Sequence, residues 1–452
     1  LSESDASIVM LDRYPKPGGH WNFAYPFVTL HQPSEFYGVS SKELSNGRRE
    51  RGGFNDGLHE MATGGEVSAY FEEVMRNTFL PSGRVQYFPM CDYQGDGRFS
   101  SILGNDTYEV EVANKVVDCT LMTTKVPSTH TPNFGIDEGV HFIPLNDLPK
   151  LKTSPERIMV VGGGKTAIDA CIWLLRMGVD PDSIDWVRPR DAWLLNRKNT
   201  QPSADFFFDA FGNELALLEC AAAAENYPDL FDRLEGAGYF LRIDKDVRPE
   251  MFHGATVSEL ELAWLQKIKN VIRLGRITHL GADEITFEKG KIDTRPNTVY
   301  VDCSATPIDE LPKDLPVFNG KVITPQMVRA YQPVFSAALI AHLEVALDTD
   351  EEKNTMSTPV PPPLDDTDFA LMTATAMMNQ YQWSLNEELS AWLLGNRLDC
   401  FGKLAEDSME DPEKADLLSR MGDVAEDAVT SLYEIHNQYH AQNSDTDAAV
   451  TA

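Results

Sequence analysis

Residues 156 to 177 read Glu-Arg-Ile-Met-Val-Val-Gly-Gly-Gly-Lys-Thr-Ala-Ile-Asp-Ala-Cys-Ile-Trp-Leu-Leu-Arg-Met. A short apolar run, Ile158 to Val161, meets three glycines, and apolar residues then recur at helical spacing: Ala167, Ile168, Cys171, Leu174 and Leu175. That order predicts a strand, a tight turn and a helix. Gly162, Gly164 and Ala167 fit G-x-G-x-x-[G/A]: the first glycine makes the turn, the second admits a pyrophosphate, and the small third residue lets helix and strand pack closely. The anion then sits at the helix N-terminus, so Gly162, Gly163, Gly164, Lys165, Thr166 and Ala167 are candidate dinucleotide contacts. The plain alternative is an ordinary strand-to-helix turn. Gly164-Lys165-Thr166 ends like a Walker A loop, but that motif requires a glycine five residues before Gly164, where Met159 lies inside the strand.

The next strand, Ser183 to Val187, ends in Arg188 and Arg190 where an acid would favour NAD. Arginines fork onto a 2′-phosphate, which points to NADPH. Arg197 and Lys198 follow, and a solvated basic loop is the alternative reading.

Composition narrows the partners. The 452 residues have room for two or three domains. Lys plus Arg is 39 against 70 acids, a formal charge of −31. Such a surface repels phosphate backbones and anionic lipid, which argues against nucleic acid and bare membrane; solubility or a salty habitat explains it equally. Cys91, Cys119, Cys171, Cys220, Cys303 and Cys400 form no C-x-x-C and no metal-ligand spacing, so reduced core thiols in a cytoplasmic protein are expected. No run of eighteen apolar residues suggests a membrane span.

At the start, Ser7 to Leu11 reads as a strand and Asp12 to Gly19 as a turn. If this is the second strand of a nucleotide-binding βαβ unit, Asp12 stands where an acid bonds a ribose hydroxyl, and the first strand with its Gly-rich turn is cut off upstream. Alternatively, Asp12 caps the turn. Pro17-Gly18-Gly19-His20-Trp21 follows, then Tyr25-Pro26-Phe27-Val28-Thr29-Leu30-His31.

This order resembles the flavin-containing and Baeyer-Villiger monooxygenase superfamily of FAD/NAD(P)-dependent oxidoreductases: an acid, a Gly-Gly-x-Trp, a Tyr-Pro, and far downstream a second Gly-rich turn. The resemblance covers about residues 7 to 345. It implies an α/β fold with two Rossmann-like dinucleotide domains, the NADP domain inserted into a split FAD domain, followed by helices. On that reading residues 1–150 and 300–347 bind FAD, 155–299 bind NADP with a helical excursion at 204–265, 348–366 link, and 367–452 are helical. It also implies FAD contacts at Asp12, Gly18, Gly19, Trp21 and Gln332, although Trp21 also suits a core. The implied activity is NADPH-dependent oxygenation of a small molecule by molecular oxygen through a flavin C4a-peroxide. A flavoprotein reductase or oxidase, or a non-catalytic flavin fold, shares these features.

The chain departs from the family in three places. Phe134, Gly135 and His141 only partly fill F-x-G-x-x-x-H-x-x-x-[WY]; Thr29 and His31 stand where Baeyer-Villiger enzymes place Arg and Asp; Pro307 replaces the usual Gly of A-T-G. His31 is the candidate donor near the flavin, with a structural role as the alternative, and His253 reads as a loop residue. Val85–Pro89, 108–112 and 116–121 are expected to form a small antiparallel sheet, and 40–61 a surface loop. The stripe Leu417, Met421, Val424, Ala428, Leu432, Ile435 reads as core or as a homo-oligomer contact.

Overall fold

The computed structural model describes residues 1–122, 124–305, 311, 312 and 314–450, with side chains as far as 442. Its centre is an all-parallel five-stranded sheet in the order Asn270–Ile272, Ile184–Val187, Arg157–Val161, Thr298–Asp302, Phe142–Pro144. Parallel strands covered on both faces need apolar residues throughout. Ile158, Met159, Val160 and Val161 are all buried. Because successive side chains alternate, Ile158 and Val160 face the helix Lys165–Arg176 through Ile168, Cys171 and Leu175. Met159 and Val161 face Ile277, Leu280, Ile285 and Phe287 on the opposite side.

The sequence assigned all four strands from 271 to 302 to closing this domain, but only two of those segments enter the sheet. Ile277–Leu280 and Glu284–Phe287 pair with Gly290–Asp293 and Gly135–Ile136 in a separate sheet. The edge strand Phe142–Pro144 comes from the crossing segment ahead of residue 155, pairing Phe142 with Tyr300.

Ile8–Asp12 pairs in parallel with Val85–Pro89, Ile8 opposite Val85 and Asp12 opposite Pro89. Between them runs the helix Gly64–Val74, started by a Thr63–Glu66 capping box and buried through Val67, Tyr70 and Val74. Val85–Pro89 is thus a parallel partner of the first strand, not part of an antiparallel sheet. The antiparallel sheet consists of Cys91–Gly95, Arg98–Ser101 and Thr107–Glu109. Val116–Val117 pairs instead with Val322–Ile323, more than two hundred positions later.

Two further expectations change. Residues 204–265 are not wholly helical: Met251–Val257 and Phe240–Leu241 flank Ala192–Asn196 in a mixed sheet, so His253 lies on a strand. The 40–61 segment does not float free. His59 holds Glu35 through Nδ1 at 2.7 Å and Ser203 through Nε2 at 3.0 Å, Phe54 packs edge-on to Trp264, and Asn55 receives Arg197. Glycine and arginine richness suggested a solvated loop; the buried polar partners make it a strap between the first strand unit and the second.

The 348–366 segment contains the capped helix Asp350–Thr355, and Val360 is buried. Beyond it, helices Phe369–Ser384 and Pro412–Val450 pack around Phe207–Ala223. Ala428, Leu432 and Ile435 of the long stripe are buried in that core. Met421 and Val424 of the same stripe pack against it, partly buried. Among the described residues no helix is long and apolar enough to cross a membrane.

Candidate nucleotide cleft

The three glycines of the 162–164 turn do different things. Gly162 has φ +138°, and a Cβ there would lie 2.4 Å from the Cys303 carbonyl oxygen, so glycine is required by the close passage of the next strand. Its own carbonyl accepts the buried Trp186 indole N–H at 2.8 Å. A Cβ on Gly163 would meet the Arg190 carbonyl at 2.9 Å. Gly164 is exposed, has ordinary extended backbone, and faces open space. It is the N-cap of Lys165–Arg176 and supplies no side-chain cap. The first amide groups of that helix therefore point, without a protein cap, into space that only a glycine leaves clear, which suits an anion. Ala167 is fully buried against the strand, as the motif requires.

The two arginines expected to act together do not. Arg188 is 2% exposed, its guanidinium 2.8 Å from Asp191 and stacked 4.8 Å over Trp186. Burial pulls its pKa down and Asp191 opposes that pull. It is committed to the fold, a correction to the sequence reading, which counted residues in a strand terminus without seeing that Asp191 closes the turn. Arg190 is exposed beside Gly163. Arg197, likewise, is no loop cation: it is buried on Asn55, Glu261 and the Thr256 carbonyl.

The segment after Gly18-Gly19 docks on this helix. The Tyr25 hydroxyl donates to Asp169 Oδ2 at 2.6 Å, and Asp169 Oδ1 pairs with Lys165. Phe27 stacks on Trp173 at 4.8 Å, and the Thr256 hydroxyl donates to the His31 carbonyl at 2.6 Å. His31 is thereby carried to the nucleotide turn. Its side chain is exposed, yet burial pushes its pKa well down, with Lys165 and Arg197 adding to the effect. His31 is a neutral imidazole near neutral pH.

On the first strand unit, Asp12 ends Ile8–Asp12 as expected. Its Oδ1 accepts the Tyr14 amide at 2.9 Å, while Oδ2 has only the Tyr87 hydroxyl at 3.4 Å. Partial burial raises its pKa. One oxygen caps the turn and the other holds only this long bond to Tyr87. Gly18 and Gly19 have φ +117° and +53°, and no atom lies within 4 Å of a Cβ built on Gly19. Trp21 is partly buried: it donates to the Tyr37 hydroxyl at 2.8 Å and packs against two apolar clusters. Gln332 caps Pro333–Ala346 by position but not by its side chain, and its Oε1 is buried without a partner. Tyr331 beside it sits at φ +56° with its hydroxyl also buried and unpartnered. Buried polar atoms left this way cost about 1–3 kcal/mol each unless a ligand or water meets them. Thr306 and Pro307 lie outside the described residues.

Sequence reading missed Tyr25, Asp169 and His59. Asp169 had a signal, since it stands four residues after Lys165 on one helix face; the Tyr25 and His59 contacts are long-range and had none. Among the described residues no cluster of His, Cys, Asp or Glu could hold a metal ion.

No known family pattern matches the chain. Among solved structures, cyclohexanone monooxygenase from Rhodococcus sp. Phi1 bound to NADP+ superposes with a TM-score of 0.41 at 12% identity, over 75% of this chain and 80% of that one. The flavoprotein disulfide reductase RclA from Escherichia coli gives 0.30 at 10% identity, over 63% and 56%. Uncharacterized proteins of Mycobacterium bovis and Mycobacterium tuberculosis are 44% identical over 407 residues, 89% of this chain and 75% of each relative. The chain belongs to the family of these mycobacterial proteins.

Proposed function

We propose that this chain is an NADPH-using, FAD-dependent oxidoreductase, and within that class a monooxygenase of a small molecule. The observation that carries the reading is the juxtaposition at the cleft: an open Gly164 turn at a helix N-terminus, with the segment from Gly18 to His31 bonded to that same helix through Tyr25 and Asp169. Gly164, the Lys165 and Thr166 amides and Arg190 would hold the nicotinamide coenzyme by its phosphates. Asp12, Gly18 and Gly19 would hold the flavin nucleotide, and the unpaired Gln332 oxygen would accept a hydrogen bond from its ring. When bound, this pair supplies hydride transfer and oxygen activation. The chain's own residues supply position, exclusion of water and charge.

In that scheme Lys165 stays with Asp169 and is not the phosphate ligand, so the anion is met by backbone amides and Arg190. His31, uncharged and reachable from the cleft, presents a ring N–H or lone pair without adding a charge. The reading is tested by adding FAD to the purified chain and following NADPH oxidation with and without candidate substrates. Flavin retention with NADPH consumption and an oxygenated product supports it. NADPH consumption that releases only hydrogen peroxide supports the reductase or oxidase reading instead, and failure to retain FAD and to bind NADPH overturns both.

A further inference from the structure

Three segments far apart in the chain bring an acid, an imidazole and a hydroxyl into one line. Glu35 Oε1 lies 2.7 Å from His59 Nδ1, and Ser203 Oγ lies 3.0 Å from Nε2 on the other side of the ring. The line is held from behind. The His59 amide donates to Gln201 Oε1 at 2.8 Å, and Gln201, fully buried, donates to the Arg197 carbonyl at 2.9 Å. Next to Glu35, the Ser34 amide donates to the Glu60 carbonyl at 3.0 Å, so acid and imidazole stand on bonded stretches of backbone.

The partners fix which atom carries which proton. Burial pushes the Glu35 pKa up, but the bond and charge of His59 outweigh it and hold the carboxyl below its usual range. A carboxylate only accepts, so Nδ1 carries the imidazole proton and Nε2 offers a lone pair. Arg49 Nη2 donates to Ser203 Oγ at 3.2 Å, and a guanidinium only donates. The hydroxyl proton is therefore left for Nε2, and one lone pair of Oγ stays uncommitted. Ser203 opens the helical turn Ala204–Phe206, where a serine hydroxyl ordinarily caps the backbone, yet it makes no cap bond. It is turned to His59 instead.

The hydroxyl end of the line is the open one. His59 is buried, whereas Ser203 keeps part of its surface next to the exposed Ala204 and Asp205. Arg49 is itself partly exposed, paired with Asp205 at 2.9 Å and lying 5.0 Å over the Phe206 ring. We propose that Ser203, His59 and Glu35 form a serine-nucleophile site that hydrolyses small uncharged carboxylic esters. Oγ attacks the carbonyl carbon as its proton passes to His59 Nε2, and Arg49 sets its charge beside the carbonyl oxygen as that oxygen becomes negative. The bond from carbon to the alcohol oxygen then breaks, and the leaving alcohol takes the proton from Nε2. Water attacks the acyl carbon and gives a proton to Nε2; the bond from Oγ to the acyl group breaks and Ser203 recovers that proton. Ester and water become acid and alcohol, with no coenzyme involved. Glu35 does not touch the ester: it positions the ring and stabilises the imidazolium. Asp205 and a formal charge of −31 disfavour an anionic ester. The site stands whether or not the coenzyme reading above does.

The test treats the purified full chain with a fluorophosphonate, which forms a bond from Oγ to phosphorus and releases fluoride, and follows hydrolysis of para-nitrophenyl acetate above that of the unfolded chain. Peptide mass mapping is expected to place the phosphonyl group on Ser203, and labelling should abolish hydrolysis. Ser203→Ala should lower the rate at least about a hundred-fold. Glu35→Gln should lower kcat more than it alters KM and move the rising limb of the pH profile to lower pH, because the imidazolium loses its anion. A merely structural carboxylate would leave that limb in place. The label is read on the parent chain, so it decides the matter even where a variant fails to fold. No label, a label on another residue, hydrolysis unchanged in a folded Ser203→Ala, or an unmoved limb in Glu35→Gln would overturn the proposal.

Discussion

The hydroxyl of Tyr25 donates to Asp169 at 2.6 Å across 144 residues of chain. Asp169 holds Lys165 with its other oxygen, so one carboxylate fixes both the segment leading to His31 and the first residue of the nucleotide-turn helix. Burial and Asp169 together raise the Tyr25 pKa, which keeps it a donor. Tyr25→Phe preserves the packing against Phe27 and removes one hydrogen bond to a charged group. Stability should fall by about 1.5–3 kcal/mol, read as a lower denaturation midpoint. An unchanged midpoint would mean that the bond contributes nothing.

The turn glycines separate fold from binding. Gly162→Ala forces a methyl to within 2.4 Å of the Cys303 carbonyl at φ +138°, and should cost on the order of 2–4 kcal/mol. Gly164→Ala meets nothing; its stability should stay within about 0.5 kcal/mol of the parent while NADPH binding weakens at least about ten-fold, because the methyl occupies the approach of the pyrophosphate. Thermal melting and coenzyme titration distinguish the two. If Gly164→Ala binds NADPH normally, the turn is structural only.

How much of this was legible depends on range. Arg157–Val161, its turn and Lys165–Arg176 are written in neighbouring residues, as periodicity and glycine spacing, and they appear as read. Asp12 at a strand end was legible for the same reason. Arg188 was misread because its partner Asp191 is set by a turn that propensity does not reveal, and the strap at 40–61 because its partners, Ser203 and Arg197, lie some 140 residues on. Short strands such as Phe240–Leu241 carry too few residues for a period to register, and only pairing with Leu194 and Leu195 makes them strands.

The arginines give the next contrast. Arg190→Ala should raise the apparent KM for NADPH about ten-fold or more and leave that for NADH nearly unchanged, since only the former carries a 2′-phosphate. Arg188→Ala should instead lower stability. Asp191 keeps Arg273 at 2.8 Å, so the loss should be about 1–3 kcal/mol, below that of a pair left wholly unpaired. Equal effects of Arg190→Ala on both coenzymes would remove it from the phosphate site.

Asp366 ties stability to pH. Burial, with Asp365 next to it, raises its carboxyl to about 6, although the Trp193 indole donates to it at 3.3 Å. A folded-state pKa above the unfolded value of about 3.9 means that the native state holds the proton more tightly. The associated stability is complete below about pH 4 and is lost as pH rises through about 6. Two pKa units set a ceiling of about 3 kcal/mol, and partial solvent access reduces it to about 1–2. Asp366→Asn keeps an oxygen for Trp193 and removes the charge. It should therefore melt higher than the parent at pH 8 and together with it at pH 4. A variant that melts lower at pH 8 would show that the ionised carboxylate stabilises the helix start at Phe369 more than its burial costs.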